Sequence, residues 1–447
     1  MSSVEDRTFL RSDLAAEWYR TYARDLPVVD FHNHLSLKDL LEDRRFLDPV
    51  DLWITPDPYK ARAMRMAGVP ERAITGDAPN EEKFAAWCAA FPLLIGNPLY
   101  QWSIAEWREG FGIEELPDGK NTDKLFKAAK RKLEETEVTP SALFDRYRVE
   151  KACPCVSLFE AIPPFDPAGR VVPSLRADDA LAPSYETVKG KNLESYLDLM
   201  EQRVEAFSKA GCRFSDHSLD DGFRFDEDDG KNAARFETLA EGGALTEDER
   251  AKLSSFFLTH LLRFYEKNGM TVQFHLGARR ETSSRLRALS GKAGGYASAG
   301  NETDIGSIVR LLDAAERLGG LPRVILMPLN SADTSKLATL SGSFSRDGVP
   351  GLVTLGPAWW WNDHRKGMIR VLEETAASGL LSNFIGMTTD SRSFLSLSRH
   401  DCFRRVLCSY LAGLTEEQAL PAPEEAVGAL IRKIAYENAA SHFKGGQ

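Results

Sequence analysis

Two histidines one residue apart, His32 and His34, end an apolar run in the stretch VVDFHNHLSL, residues 28–37. The alternation of apolar and polar residues before them predicts a β-strand. Residues i and i+2 of a strand share one face, so the two imidazoles point the same way and could hold one metal ion. Two ligands alone do not make a site, and two surface histidines at a strand end are the competing interpretation.

A third ligand candidate, Asp390, lies near the end of the chain in the run NFIGMTTDSR. Two imidazoles and a carboxylate leave room for water or substrate, which suits Zn²⁺ better than Mn²⁺ or Fe²⁺. The competing interpretation of Asp390 is a helix cap, because TDSRSFLS resembles a helix start. No lysine ends a predicted strand to bridge a second metal, and the strand ending in MPLN adds no histidine. We therefore predict one divalent ion per chain, with Zn²⁺ favoured.

Polar or aromatic residues end most of the other predicted strands. Each has a structural interpretation when taken alone, such as a core histidine for His275 or packing residues for the tryptophans. Together they indicate an active site, because the carboxyl ends of parallel strands meet at one rim. The strand-end residues, besides the two histidines, are Arg176, Asp216, His217, His275, Trp359, Trp360, Asp390 and Arg392.

Eight β-rich runs alternate with helical patterns along most of the chain. Four of these patterns, at 192–211, 254–269, 303–320 and 364–379, end in glycine, which commonly stops a helix. The repetition predicts right-handed parallel crossovers and an α/β fold, a (β/α)₈ TIM-type barrel. A doubly wound open sheet is the alternative. The runs cover residues 26–34, 148–157, 169–176, 211–218, 270–277, 323–330, 352–360 and 383–392.

The long interval between the first two runs contains helical patterns, EEKFAAWCAAFPLLIG and NTDKLFKAAKRKLEETE. We predict a mostly helical insertion at the barrel mouth over residues 36–147. Residues 1–35 then form an N-terminal helix and the first strand, and residues 148–447 the rest of the barrel and C-terminal helices. The stretch SGKAGGYASAG, residues 290–300, lacks the phosphate-loop pattern and is expected to be a mobile loop near the mouth.

Composition restricts the class of protein and its partners. The 447 residues are 43% hydrophobic and 27% charged with a net charge of −10, so we expect no nucleic-acid or membrane partner. No window approaches the ~20 apolar residues of a membrane span, and the N-terminus has no secretory h-region. The six cysteines include C-P-C at 153–155, which is not C-x-x-C, and we expect reduced thiols and a cytoplasmic location. The oligomeric state is left open, with a homo-oligomer among the alternatives.

An acidic chain that binds an anionic substrate needs a local cluster of arginines. Arg176, Arg280 and Arg392 are the candidates, because guanidinium groups bind carboxylates through paired hydrogen bonds. We therefore expect a small anionic molecule as the substrate.

Over most of its length the chain resembles the uronate isomerases, a branch of the amidohydrolase superfamily. The motifs that carry the resemblance are DFHNHLS, YKARAMR, GNPLYQW, PSLRADDAL, GCRFSDHSLD, QFHLGARRE, GPAWWWNDHRKGM and GMTTDSRSFLSLSRHDCFRRVLC. The resemblance implies a metal-dependent barrel enzyme that interconverts aldose and ketose hexuronates through an enediol. The substrates would be D-glucuronate and D-fructuronate, D-galacturonate and D-tagaturonate, or both pairs.

The resemblance also implies roles for individual residues. The metal ligands would be His32, His34 and Asp390. The catalytic residues would be Asp390, Tyr59, Arg392 and His275, with ligation of the metal by His275 left open. The substrate-binding residues would be Arg176, Arg280, Asp216 and Trp360.

Three departures from the family pattern are expected to change substrate recognition. Pro58 stands where the family usually has histidine, Gln101 replaces another histidine, and Cys153 to Ser157 replace the acidic sequence TTDDP. They predict a shifted preference among hexuronates or their derivatives. Two other functions compete: a metal-dependent hydrolase of a sugar-acid lactone or amide, and a diverged barrel that only binds a sugar acid. Arg392 beside Asp390 argues against the hydrolase, and the complete metal-ligand set argues against the binding protein.

Overall fold

A curled parallel sheet forms the centre of the computed structural model, which describes residues 7–292 and 294–444. Seven of the strands in these residues pair in the order β1-β2-β3-β4-β5-β8-β9. This order follows the chain without reversal, whereas a doubly wound sheet reverses at a switch point. The predicted TIM-type barrel is confirmed. The strands are β1 (Val28–Asn33), β2 (Val149–Ser157), β3 (Ser174–Arg176), β4 (Phe214–Leu219), β5 (Thr271–Leu276), β6 (Ala278–Arg279), β7 (Ser298–Ala299), β8 (Val324–Pro328) and β9 (Val353–Leu355).

The prediction of an eighth barrel strand at 383–392 is wrong, because this segment lies beside β1 without forming a regular ladder. The Thr388 hydroxyl accepts the His32 N–H (2.9 Å), so a side chain replaces a backbone carbonyl there. Asp390 still donates its N–H to the His32 carbonyl (3.1 Å), but its φ of 46° is left-handed. An L-residue at positive φ cannot continue an extended strand.

Two other strands are shorter than predicted, and a proline accounts for each. Pro173 lacks an N–H, so β3 begins only at Ser174, and Val171 forms an isolated bridge with Ala152. Similarly, Pro357 follows Gly356 and no ladder continues after β9. The two tryptophans predicted at the end of this strand therefore lie in the loop beyond it.

Helices surround the sheet, and the four predicted crossover helices are present as α10, α12, α14 and α16. Gly211 and Gly269 follow two of them at positive φ, but Gly379 is extended (φ −138°) and is no left-handed stop. None of the helices in the described residues is long and apolar enough to cross a membrane. The helices are α1 (Asp13–Trp18), α2 (Leu37–Leu41), α3 (Pro58–Met66), α4 (Asn80–Ala90), α5 (Pro98–Phe111), α6 (Thr122–Glu135), α7 (Pro140–Arg146), α8 (Asp178–Leu181), α9 (Tyr185–Val188), α10 (Leu193–Lys209), α11 (Asn232–Ala240), α12 (Glu247–Lys267), α13 (Ser284–Ser290), α14 (Ile305–Arg317), α15 (Thr334–Ala338), α16 (Arg365–Ser378), α17 (Arg399–Glu416), α18 (Glu424–Arg432) and α19 (Asn438–Ser441).

Helices α2 to α7 lie between β1 and β2 and enclose an apolar cluster of their own. Trp53, Trp87 and Trp107 are fully buried in it, and Trp53 stacks against both of the others. Phe394 and Leu395, which follow the Asp390 segment, belong to the same cluster. This packing fixes the helices against the barrel mouth. The division of the chain at residues 35 and 147 stays a prediction.

The opposite end of the barrel is closed by the C-terminal segment. Phe214, which starts β4, stacks on Phe31 with ring centroids 5.1 Å apart, and also contacts His442 (4.8 Å) and Phe443 (5.7 Å). Thr271, which starts β5, shares a 3.1 Å hydrogen bond with His442 Nδ1. Apolar and ring contacts thus dominate the amino ends of these strands.

Candidate active site

His32, His34 and Asp390 meet at the carboxyl end of β1. Both histidines present Nε2 to one carboxylate oxygen, Asp390 Oδ1, at 3.2 Å from His32 and 3.1 Å from His34. The buried carboxylate of Asp30 holds the two chain segments together, because it accepts hydrogen bonds from Thr388 and Thr389. The two histidines and the aspartate are therefore close together in the fold, although more than 300 residues separate them along the chain.

The donor set fits a divalent metal ion. A tetrahedral ion with bonds of about 2.0–2.1 Å to nitrogen and oxygen has ligand–ligand separations of about 3.3 Å. The separations of 3.2 and 3.1 Å between the imidazole nitrogens and the carboxylate oxygen are close to this value. Two imidazoles and a carboxylate are also common ligands of such ions. These two contacts and the chemistry of the donors make the three side chains candidate ligands of one ion.

Further donor atoms surround His32. Cys155 at the end of β2 has a ligand atom within 4.8 Å of those of both His32 and His34. His32 also belongs to a second group of possible metal ligands, in which its ligand atom and those of Asp216 and His275 all lie within 4.8 Å of one another. Of these, Cys155 was missed as a site residue from sequence, because its C-P-C setting was compared only with C-x-x-C motifs.

Burial and the neighbouring groups have opposite effects on the pKa values of the side chains in this cluster. Burial alone would lower the pKa of His32, but the negative charges of Cys155 and Asp216 and the hydrogen bond with Asp390 raise it well above its ordinary value. Burial would likewise raise the pKa of Asp390, yet the hydrogen bonds from His32 and His34 hold it well below its usual range. Asp390 is thus a carboxylate, as a ligand or a base requires.

His275 lies beneath the cluster as a neutral imidazole. Burial, with the positive charge of His32, lowers the pKa of His275 to about 3. Neither of its ring nitrogens has a hydrogen-bond partner in the described structure, and Nδ1 is 3.9 Å from Asp216 Oδ2. A buried imidazole without a partner is costly, so this ring is suited to bind a group that enters the site.

Arg176 is tied to two carboxylates. Its partner in the β3–β4 register is Asp216, and the two form an ion pair at 2.8 Å. The second amino group lies 2.8 Å from Asp178 and also contacts Ser218. Asp178 was missed from sequence because it follows β3 in α8, and only the fold brings it to this position.

Arg280 is the more available of the two guanidinium groups. It binds Asp220 at 2.9 Å and donates to Ser218 at 2.6 Å, and it lies over the Trp360 ring, 5.0 Å from the centroid. Trp360 has φ 46°, an uncommon conformation for a bulky residue. Such conformations cost about 1–3 kcal/mol and cluster at functional sites. The exposed Arg392 lies on the same cavity.

Tyr59 reaches the site from α3 of the insertion. Its ring packs edge-on against Trp102 and Trp361, and its buried hydroxyl has no hydrogen-bond partner in the described residues. Burial raises the pKa of Tyr59 well above its ordinary value, so the hydroxyl stays a donor. The guanidinium of Arg399 lies 5.5 Å from the ring centroid and pairs with buried Asp363.

A cavity of about 790 Å³ joins these groups. Among the described residues, Asp216 and His275 do not line it and lie below its floor. Of the three family departures, Gln101 is exposed on α5 and does not line the cavity, so its role in substrate recognition stays a prediction. The residues discussed above that line the cavity are His34, Pro58, Tyr59, Cys155, Arg176, Asp178, Ser218, Asp220, Arg280, Trp360, Trp361, Asp390 and Arg392.

Comparisons with known proteins agree on one family. The chain matches the family described as Glucuronate isomerase over residues 1–443. A uronate isomerase from Caldicellulosiruptor bescii is 36% identical over 99% of this chain and 100% of that protein. One from Shouchella clausii is 36% identical over 98% of each chain.

Solved structures are similar along the whole chain. A uronate isomerase from Thermotoga maritima superposes with a TM-score of 0.88 at 27% identity, covering 98% of this chain and 99% of that one. A glucuronate isomerase from Caulobacter crescentus gives 0.88 at 25% identity over 100% of this chain and 98% of that one. The chain therefore belongs to the glucuronate isomerase family and is an enzyme of the uronate isomerase type, as its motifs predicted.

Proposed function

We propose that the protein interconverts an aldohexuronate and the corresponding ketohexuronate, such as D-glucuronate and D-fructuronate, with the help of one divalent metal ion, Zn²⁺. The observation that carries the proposal is the convergence of His32, His34 and Asp390 on one side of a cavity that also contains arginines. The hydroxyl groups of a hexuronate could bind at the His32, His34 and Asp390 site, and its carboxylate could bind to the arginines. The protein would act in the cytoplasm.

The reaction moves a proton between C2 and C1 of the open-chain sugar, so it needs a base at carbon and a donor at oxygen. The ion held by His32, His34 and Asp390 would polarise substrate oxygens. Asp390 is a buried carboxylate on the cavity wall and is the proposed base, acting directly or through a substrate hydroxyl. Its carboxylate takes the proton from one carbon and returns it to the other.

Tyr59 and Arg392 are proposed to move a proton between the two substrate oxygens. The Tyr59 hydroxyl is buried and has no protein partner among the described residues, so a substrate oxygen can accept its hydrogen bond. Arg392 lines the same cavity two residues after Asp390. Its positive charge would stabilise the enediolate that forms as the carbon-bound proton leaves.

Arg280 is proposed to bind the sugar carboxylate. Its guanidinium is about a third exposed, and a single carboxylate, Asp220, opposes it. Arg176 was expected to share this role, but two carboxylates already balance its charge. We propose that Arg176 mainly positions Asp216, and that Trp360 forms the pocket wall behind Arg280 and limits water.

A panel of sugars tests the proposed reaction. Purified, metal-loaded protein is incubated with D-glucuronate, D-galacturonate and the neutral sugars D-glucose and D-galactose, and ketose formation is followed. We expect turnover of at least one uronate and little of either neutral sugar. Equal turnover of neutral sugars would contradict the carboxylate-binding role, and cleavage of a sugar-acid lactone without isomerisation would favour the hydrolase. Binding without turnover would favour a binding protein.

Metal content is tested by elemental analysis. We expect close to one divalent ion per chain in the wild type and a large loss in a His32→Ala/His34→Ala double variant. Two ions per chain, or full occupancy in the variant, would contradict the single site.

A further inference from the structure

We propose that Cys155 is a fourth ligand of the metal ion, bound through its sulfur as a thiolate. This inference rests on the proposed metal site, and it concerns a residue in the segment where the chain departs from its family. The metal would then have two nitrogens, one oxygen and one sulfur around it. Such a set selects soft and borderline ions such as Zn²⁺ over Mn²⁺ or Mg²⁺.

Strand pairing brings Cys155 to the histidines. β1 and β2 are neighbours, and Asn33 is paired with Pro154 in their register. Because residues on either side of a paired position point to the opposite face, His34 and Cys155 lie on the same face of the sheet. The outcome is a thiol that lines the cavity together with His34 and Asp390.

The distances suit a metal–sulfur contact. The Cys155 sulfur lies 3.5 Å from His32 Nδ1 and 4.0 Å from His32 Nε2, the nitrogen that also faces Asp390. A tetrahedral ion with a sulfur bond of about 2.3 Å and a nitrogen bond of about 2.0 Å separates sulfur and nitrogen by about 3.5 Å. Binding through Nε2 therefore requires the sulfur and this nitrogen to approach by about 0.5 Å. The ligand atoms of Cys155, His32 and His34 are all within 4.8 Å of one another.

A hydrogen-bonding role for the thiol is the alternative. Cys155 is 3.5 Å from Asp216 Oδ1 and could simply donate its S–H to this buried carboxylate. If Cys155 only donates a hydrogen bond, serine would preserve that bond. If Cys155 binds the metal, serine would replace a soft sulfur ligand by a weak, hard oxygen ligand. The two roles therefore differ in what a Cys155→Ser variant does to the bound metal.

Coordination also has a consequence for the open position of the site. Catalytic zinc sites usually have three protein ligands and a water, while sites with four protein ligands are structural and closed. With Cys155 bound, a substrate oxygen would have to displace the sulfur or enter as a fifth ligand. When the metal–sulfur bond forms, the S–H bond is broken and its proton passes to solvent.

The test uses full-length protein loaded with Co²⁺, whose absorption reports its ligands. We expect one bound Co²⁺ per chain and a near-ultraviolet sulfur-to-cobalt charge-transfer band in the wild type. Cys155→Ser should bind Co²⁺ but lose the band. Cys153→Ala, which removes the buried thiol two residues earlier in β2, should keep it.

Competition titrations supply a second measurement. Loss of a hydrogen-bonding partner of a metal ligand costs about 10–100-fold in affinity, so loss of a direct ligand should cost at least about tenfold for Cd²⁺ or Zn²⁺. The affinity of Cys155→Ser for Mn²⁺ should fall by less than its affinity for Cd²⁺ or Zn²⁺. If the wild type binds Co²⁺ but shows no charge-transfer band, the Cys155 inference is overturned, while the proposed metal site is unaffected. Failure of the wild type to bind any divalent ion would overturn both.

Discussion

The two ends of the barrel contain histidines in opposite surroundings. At the carboxyl end, His32, His34 and His275 lie near carboxylates and a thiol, and His34 lines the cavity. At the amino end, the His442 ring packs against Phe214 and shares a hydrogen bond with the Thr271 hydroxyl. Burial lowers the pKa of His442 to about 4, with a smaller effect from Arg323, so this ring is neutral near pH 7.

This difference indicates that the two ends serve separate purposes. The amino end gains stability from close packing of aromatic and apolar groups. The carboxyl end has buried groups without partners, such as the Tyr59 hydroxyl and both His275 nitrogens, together with left-handed backbone at Asp390 and Trp360. Such features reduce stability and are retained where a ligand completes the contacts. Substitutions at the two ends should therefore separate activity from stability.

The largest effect is expected at the carboxyl end, from Asp390→Asn. The amide keeps the size and one oxygen ligand but removes the basicity, so turnover should fall by at least about two orders of magnitude, as for loss of a general base. Turnover and solvent-deuterium exchange at C2 are measured with metal in excess. If Asp390 only capped the segment that follows, asparagine would serve nearly as well and activity would survive.

A comparably large effect on stability is expected at the amino end, from Phe214→Ala. Removal of a buried phenylalanine typically costs about 3–5 kcal/mol. Phe214 is 1% exposed and contacts three other rings, so little collapse of the cavity is possible. Urea unfolding should show this loss, while turnover per folded molecule stays near the wild-type value. A specific fall in turnover under folding conditions would contradict the separation of the two ends.

The pH dependence of stability should identify His442. Because its pKa is lowered in the folded state, the unfolded chain binds more protons below pH 6.5. The contribution of this group is complete above about pH 6.5 and is lost as the pH falls toward 4, by up to about 3 kcal/mol. His442→Gln should flatten the stability profile in this window relative to the wild type. Identical pH slopes for the two proteins would contradict the assignment.

The smallest effect is expected from Trp360→Leu at the cavity wall. Trp360 provides the aromatic face over which Arg280 lies, and a cation–π contact at a partly exposed site contributes about 0.5–1 kcal/mol. The KM for a uronate should rise about two- to fivefold while kcat stays unchanged, if the contact only orients Arg280. Steady-state kinetics measure both values, and a fall in kcat with constant KM would place Trp360 in the chemical step.

The barrel could be predicted from sequence because it follows from local patterns, and the same patterns placed His32, His34 and Asp390 together, while their role as metal ligands stays a prediction. The spacing of His32 and His34 on a strand fixes their common face, and glycine-terminated helices mark the crossovers. The eighth strand could not be predicted correctly, since Thr388 replaces a ladder bond with its hydroxyl. The contact of Cys155 with the histidines was not predicted, and Asp178 was missed, because their partners, His32 and Arg176, are adjacent only through strand pairing and the turn after β3.

The predicted role of Gln101 in substrate recognition stays a prediction, since this residue does not line the cavity. A change from the family residue does not say which way a helical side chain points, and α5 turns this position to solvent. The same sequence comparison did identify Pro58 and Cys155, which do line the cavity. Differences from a family thus locate a region of change, and only helix orientation separates contact positions from exposed ones.

The position of the metal ligands along the chain limits when the ion can be acquired during synthesis. His34 and Asp390 are 356 residues apart, since 390 − 34 = 356. At about 5–20 residues per second, roughly 20–70 s separate the translation of these two residues. For most of this period the nascent chain contains His32, His34 and Cys155 but not Asp390, so the complete set of proposed ligands exists only at the end of synthesis or in the released protein. Cells that contain too little of the ion would therefore accumulate complete but inactive chains.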